Sequence, residues 1–249
     1  MTHNDECHIQ KNPTYYDKIS TKYMVNIVGS YETTYWQKKW IPIKTSLKLS
    51  QKQKDLITGS LLGDATMRIG KGARNANLKI EHGLSQKEYV KWKYNILKEF
   101  VFTAPKVSYR YNENREKYKK SWWFRTIRHP ELTDLFETFY PGEGYSGRKK
   151  IVPPLIQNIS PFSLSVWIMD DGSYSNKSIN ISTYSFSKEE NEFLLKCIRD
   201  CFKVEGSIYK DRDKGYRMYF SRKETAKLIH VIQPYIIPTM MYKIGFVTP

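Results

Sequence analysis

Along this chain the spacing of hydrophobic positions changes period several times, and the order of the changes repeats. From Ile57 the sequence reads ITGSLLGDA, and from Leu164 it reads LSVWIMDDG. Each is an apolar run that ends in an acid followed by Ala or Gly, and without gaps Asp64 falls on Asp171. Short alternating stretches come next, residues 66–69 and 77–82 after the first run and 178–184 after the second. Alternation marks half-buried strands, with Met67, Ile69, Leu78, Ile80, Ile179 and Ile181 on the packed side. A helix then opens in each copy on a capping box, Ser85 with Glu88 and Ser187 with Glu190, and runs to Phe100 or Phe202. In such a box the serine accepts a backbone N–H and the acid reaches back to the cap. A second strand pair follows, 106–111 with 121–128 and 206–210 with 216–222, and a helix closes each copy at 130–140 and 223–233.

The unit is αββαββα, present twice, so the predicted fold class is α+β: two pseudo-symmetric repeats, each building an antiparallel sheet. The repeats span 49–140 and 160–249. Between them lies a linker, 141–159, whose first fourteen residues hold three Gly and three Pro. Residues 1–48 fall outside the repeat. Their Trp36, Lys38, Lys39, Trp40 and Lys44 suit either an extra DNA-contacting arm or packing against the first sheet. Two related sheets about a pseudo-two-fold axis suit a DNA duplex, whose backbones are themselves related by local two-fold axes.

Charge sharpens this picture. The 249 residues carry 41 Lys and Arg against 25 Asp and Glu, a net +16, which points to a polyanionic partner. Within the strands the polar side holds Arg68, Asn77, Lys79, Arg110, Arg125, Asn180, Ser182, Lys210 and Arg217, and the loop after the first strand adds Lys71 and Arg74. Arg, Lys, Asn and Ser are the side chains that read major-groove edges and hold phosphates. Any one strand alone reads equally as an ordinary sheet with one wet face; recurrence in both halves favours DNA. Three cysteines build no disulfide framework. Cys197 and Cys201 fit a helical core stripe, and Cys7 with His8 and His3 lacks the second pair a zinc site needs. No apolar run is long enough to span a bilayer, and the first residues are polar and acidic. Neither a membrane role nor secretion nor an Arg-rich import presequence is expected.

The two acids are placed against the helix macrodipole, which is negative at the C-terminal end, and Asp170 beside Asp171 adds to the repulsion. Asp-Gly as a simple helix stop explains Asp171 alone, but not an acid at the same place in both copies. A divalent cation would. Carboxylates and backbone carbonyls at two helix ends, here Asp64, Asp171, Gly63 and Asp170, form an oxygen set suited to a hard cation. Gly59, Ser60 and Gly63 leave room for close helix approach, which would bring Asp64 and Asp171 together.

LLGDA and WIMDDG resemble the two motifs of the LAGLIDADG homing endonucleases. KKIVPPLI before the second motif and PTMMYKI near the C-terminus are most similar to the single-chain, two-motif mitochondrial intron endonucleases of the ω type. The resemblance covers residues 49–244. It departs at Thr58-Gly59-Ser60 and Ser165-Val166-Trp167, where the family name has Ala-Gly-Leu. The resemblance implies motif helices that form the interface between halves, with two saddle-shaped sheets straddling a duplex. It implies Mg2+-dependent hydrolysis, with Mn2+ as a substitute, of both strands at a long asymmetric site, by a monomer. It places Lys150 and Lys243 beside the two scissile phosphates, as catalytic partners of Asp64 and Asp171; without it, each lysine reads as a solvated loop residue. It places the work in the organelle encoding the intron, mitochondrion or chloroplast, or in a bacterial cytoplasm.

An RNA maturase that assists splicing of a group I intron is the competing reading, because a basic surface fits intron RNA as well. A DNA-binding regulator built on an inactive endonuclease is disfavoured, since both acids and both lysines are present.

Overall fold

The computed structural model describes residues 46–112, 117–143 and 147–246, together with Ile41 and Pro42. They fall almost wholly in a compact unit that begins at Leu47. Trp36, Lys38, Lys39, Trp40 and Lys44 of the N-terminal extension, and the His3, Cys7 and His8 group, lie outside the described residues.

The first half runs α1 (Gln51–Leu62), β1 (Thr66–Arg68), β2 (Asn77–Gly83), α2 (Lys87–Leu97), β3 (Lys106–Asn112), β4 (Lys117–Arg125) and α3 (Pro130–Phe139). The second runs α4 (Pro161–Asp171), β5 (Gly172–Ser175), β6 (Ser178–Ser182), α5 (Lys188–Phe202), β7 (Ser207–Lys210), β8 (Tyr216–Phe220) and α6 (Arg222–Ile232). Each half folds one four-stranded antiparallel sheet, in the orders β1-β2-β4-β3 and β5-β6-β8-β7. The orders are the same, so the internal repeat read in the sequence is a repeat of topology. It does not extend to every hydrogen bond: Thr225 of the closing helix accepts the backbone N–H of Ile179, whereas the matching Leu78 donates to Thr126, and Thr133 accepts from Ala76.

The predicted alternation sets the faces of the central strands. Leu78, Ile80, Ile179 and Ile181 are fully buried against the helices, while Lys79, Glu81, Asn180 and Ser182 face outward, half-buried. Three expectations need correction. The chain enters α2 through a 3-10 turn, Leu84–Gln86, so Ser85 sits inside that turn and caps nothing, and Glu88 pairs with Lys91. The boxes that do form are Ser187–Glu190 and Ser50–Gln53. Strand β5 was missed because its four residues, Gly-Ser-Tyr-Ser, carry no apolar alternation. Strand β4 begins at Lys117, upstream of the expected 121, and pairs out to Asn112 in β3. Towards that end of the hairpin Tyr109, Tyr111 and Tyr118 are exposed, although the first two alternate with Arg110 of the polar side. Of the expected cysteine stripe, Cys197 is buried and Cys201 is exposed.

The motif helices α1 and α4 pack directly on one another, and small residues set their distance. A Cβ built on Gly59 would strike the backbone carbonyl of Ser163 and come within 2.8 Å of the Val166 Cβ. One built on Gly63 would lie 2.7 Å from Asp170 Oδ2. Val166, aligned with Gly59 in the repeat, fills the notch that glycine leaves, and Trp167 is fully buried. Close contact at the second motif is thus made by glycine on one helix and a branched side chain on the other. Gly59→Ala should destabilise the protein by ~1–3 kcal/mol, the usual cost of overpacking, read as a lower denaturation midpoint in urea. An unchanged midpoint would mean that the helices can separate at no cost.

Candidate active site at the crossing of the motif helices

The C-terminal ends of α1 and α4 carry the three acids. Asp64 stands two residues beyond the last residue of α1, with half of its side chain exposed. Asp171 is the last residue of α4 and is partly buried. Asp170 is buried, its side chain wholly so. Two lysines close the group. Lys150, on the extended segment after α3, donates its Nζ to the Gly63 carbonyl at 3.0 Å. Lys243, in the 3-10 segment Pro238–Ile244, donates to the carbonyls of Asp170 at 3.1 Å and Gly172 at 2.8 Å. Gly63 and Asp170 align in the repeat, so each half brings one lysine to the carbonyl just before its own acid. Asp64, Asp171, Lys150 and Lys243, singled out from the sequence, are thereby gathered at one place.

Asp170 departs from its expected role. Its carboxylate takes both contacts from Lys93 Nζ, at 2.8 and 3.0 Å, the Tyr89 hydroxyl at 2.7 Å and the backbone N–H of Asp64 at 3.3 Å. With those lone pairs committed, its side chain is not free to bind a metal, and only its carbonyl, beside Lys243, is left for that. Asp64, His82 and Asp170 do bring ligand atoms within 4.8 Å of one another. The Lys93 ammonium already serves that trio, however, since it also lies 3.2 Å from His82 Nε2. The other ring nitrogen of His82, Nδ1, faces Asp64 Oδ2 at 3.4 Å. Lys93, Tyr89 and His82 were not singled out from the sequence. A signal existed: Lys93 lies four residues from both Tyr89 and Leu97 on the buried stripe of α2, and His82 continues the inward series Leu78, Ile80.

The electrostatics of the two acids differ. Burial would raise Asp64, but the hydrogen bond and charge of His82, then Lys93 and Lys243, hold it below the ordinary aspartate value. Burial first, then the charges of Asp64 and Asp170, push Asp171 up to about 8 against the pull of Lys150 and Lys243. Burial also draws Lys150, Lys243 and Lys93 down, with the facing aspartates resisting.

The polar sides of the sheets hold most of the residues expected there. Arg68, Lys71, Arg74, Arg110 and Lys210 are exposed, and Lys79, Arg125, Asn180, Ser182 and Arg217 are half-buried. Asn77 is the exception: at 7% exposure it is packed too closely to reach a base edge. Several of these groups are pre-oriented. Glu81 pairs with Lys79, accepts from Arg110 at 2.8 Å and accepts from Ser121. Asn180 accepts the Tyr209 hydroxyl at 2.9 Å, and Asp211 faces Arg217 at 3.5 Å. A cleft of about 400 Å3, lined by Asp64, His82, Glu81, Arg110 and Ser121 among others, joins Asp64 to the first sheet.

The raised Asp171 predicts a pH profile for stability in the absence of divalent metal. A carboxyl whose folded pKa exceeds its unfolded one favours the folded state fully below the unfolded value, near 3.8, and loses that contribution as pH rises through about 8. Wild-type protein should therefore weaken over that window. Asp171→Asn, which cannot ionise, should be the more stable of the two in denaturant melts at ~pH 9 but not at ~pH 5. Parallel profiles would mean that Asp171 ionises freely.

Comparison with known proteins agrees with this geometry. The profile of the LAGLIDADG DNA endonuclease family matches residues 54–228. The chain is 30% identical over 211 residues to DNA endonuclease I-ChuI of Chlamydomonas applanata, covering 80% of this chain and 97% of that one. It is 26% identical over 221 residues to the cytochrome b mRNA maturase bI2 of Debaryomyces hansenii, covering 82% of each. Among solved structures, the homing endonuclease I-WcaI bound to its DNA recognition sequence superposes with a TM-score of 0.74 at 27% identity, over 91% of this chain and 97% of that chain. The two four-stranded sheets, the paired motif helices and the profile match together identify the chain as a member of the LAGLIDADG DNA endonuclease family.

Proposed function

We propose that this endonuclease hydrolyses both strands of one long, asymmetric duplex site, using a divalent cation held by Asp64 and Asp171 with the carbonyls of Gly63 and Asp170. The observation that carries the reading is the matched pair of half-sites at the α1–α4 crossing, each with an acid, the carbonyl before it and a lysine on that carbonyl. The donor set fits a hard cation: it is all oxygen, the carbonyls already attract ammonium groups, and burial together with the neighbouring Asp64 and Asp170 charges holds Asp171 protonated up to about 8. Mg2+ is the proposed ion, with Mn2+ as a substitute. Those oxygens would hold the ion where it would supply polarisation of the scissile phosphate and activation of the attacking water.

The chain's own groups do the rest. Arg68, Lys71, Arg74, Arg110 and Lys210 take phosphates and base edges of the duplex, while Glu81 and Asp211 hold neighbouring cations in fixed directions. Lys150 and Lys243 offset charge that develops on the two phosphates, a local electrostatic effect. One chain holds both halves, so a monomer suffices. Its place of work is the organelle that carries its intron, or a bacterial cytoplasm. No described helix is long and apolar enough to cross a membrane.

A second reading, assistance to intron RNA splicing, rests on the likeness to the maturase. The two separate in one assay. With Mg2+ and a randomised duplex library, the protein should cut intron-less DNA at one long site. Splicing of its own intron RNA without any DNA cleavage would favour the second reading. In the same assay Asp64→Asn and Asp171→Asn should each abolish double-strand cleavage by ~10²-fold or more while leaving duplex binding intact. Wild-type rates in either variant would remove the acids from the mechanism.

The lysines should act on different strands. Lys150→Met and Lys243→Met are each expected to accumulate nicked plasmid, with the nicks on opposite strands, because each lysine serves its own half-site. Strand-specific end labelling reads this directly, and equal slowing of both strands would mean the lysines act through shared structure.

A further inference from the structure

The pseudo-two-fold symmetry breaks at the buried charges beside the acids. In the first half, wholly buried Lys93 joins both oxygens of Asp170, and Asp170 Oδ2 accepts the backbone N–H of Asp64. Lys93 also contacts His82, whose other ring nitrogen faces the Asp64 carboxylate. An ammonium in α2 thus reaches Asp64 by two routes, through its peptide and through its side chain. The second half has no such device. Counting from the matched Phe100 and Phe202, Tyr89 and Lys93 correspond to Asn191 and Leu195. Counting from the matched pairs Leu78–Ile179 and Ile80–Ile181, His82 corresponds to Thr183. There Thr183 simply donates to Asn191, a neutral pair. Asp170 corresponds to Gly63, which has no side chain to offer.

We propose that Lys93 is a positioning residue for the first half-site alone: through Asp170 and His82 it fixes Asp64, and so governs the strand break served by Asp64 and Lys150 but not the one served by Asp171 and Lys243. The inference rests on the cleavage reading above. It also accounts for the spent Asp170 carboxylate, which crosses from the second half to hold a peptide of the first. The two cuts then depend on different supports, and the enzyme can lose one while keeping the other.

The test uses the full chain with Lys93→Met, and with Lys93→Met/Asp170→Ala, which leaves no buried carboxylate unpaired. The first measurement is hydrogen exchange of the Asp64 amide without DNA or metal, where a loss of protection of ~10-fold or more is expected once its acceptor is freed or removed. The second is strand-resolved cleavage. The strand slowed by Lys150→Met should be slowed ~10- to 100-fold, as for a misplaced reacting group, with duplex binding and the other strand unchanged. Unaltered exchange at Asp64, equal slowing of both strands, or slowing of neither would overturn the proposal. Failure of both variants to fold would make Lys93 a residue of the fold and overturn it as well. If wild-type protein cuts no duplex, the cleavage reading falls, and the exchange rate alone decides whether Lys93 holds Asp64.

Discussion

Everything at the site depends on how closely α1 and α4 approach. With Gly59 against the Ser163 carbonyl and Gly63 against Asp170, the two helices lie nearer than a Cβ at either glycine would allow. That approach places two helix C-termini, both negative ends of macrodipoles, side by side. It also joins the halves into one core, since the buried faces of both helices belong to a single apolar cluster that extends under both sheets. A larger residue at either glycine would part the acids and the halves together, so site geometry and domain association are one constraint.

The same crossing settles which half pairs with which. Asp170 fits because it meets Gly63 and because Lys93 waits for it in the first half. A pairing of two first halves would bury two Lys93 ammonium groups with no carboxylate between them. A pairing of two second halves would set two Asp170 carboxylates together with no lysine. Leaving one member of a buried ion pair alone costs ~3–5 kcal/mol, so the asymmetry selects the mixed pairing by penalising the alternatives. A single chain carrying both halves then presents two sheets that differ: Lys79, Glu81 and Arg110 cluster on one, Asn180, Tyr209 and Arg217 on the other.

How much of this could be read from residues alone follows from where each feature is encoded. Repeat topology was legible because period 2 and period 3.6 leave a local signature. The acids and the two lysines were legible because motif and resemblance mark them, although only the fold brings Lys150 to Gly63 and Lys243 to Asp170. Polar β5 and the exposed end of the β3–β4 hairpin were not, since neither has a buried face to impose alternation. Asn77 looked like its neighbour Lys79 and proved buried, because short side chains on the wet side of a sheet can be covered by longer ones. The Lys93 network was hidden for another reason. A lysine on an apolar stripe identifies itself as unusual, but its partner Asp170 is 77 residues away in the chain, and only tertiary packing joins them.

The charge arrangement also explains why so many acids can share this space. Three aspartates converge, and three lysines converge on them, yet the pairing is uneven. Asp170 has a full ion pair, Asp64 has a histidine N–H and two neighbouring ammonium groups, and Asp171 is left with more distant lysines that bond carbonyls instead of its own oxygens. The cost of ionisation is therefore concentrated on one residue, Asp171, held protonated up to about 8, instead of being spread over the site. A fold selected for stability alone would neutralise that residue, by a nearer cation or by substitution. Here it keeps no direct partner among the described residues, while Lys93 pairs the wholly buried carboxylate of Asp170. The deepest charge is thus paired with a fixed ammonium, and the acids nearer the helix ends are balanced at longer range by lysines bound to the carbonyls beside them.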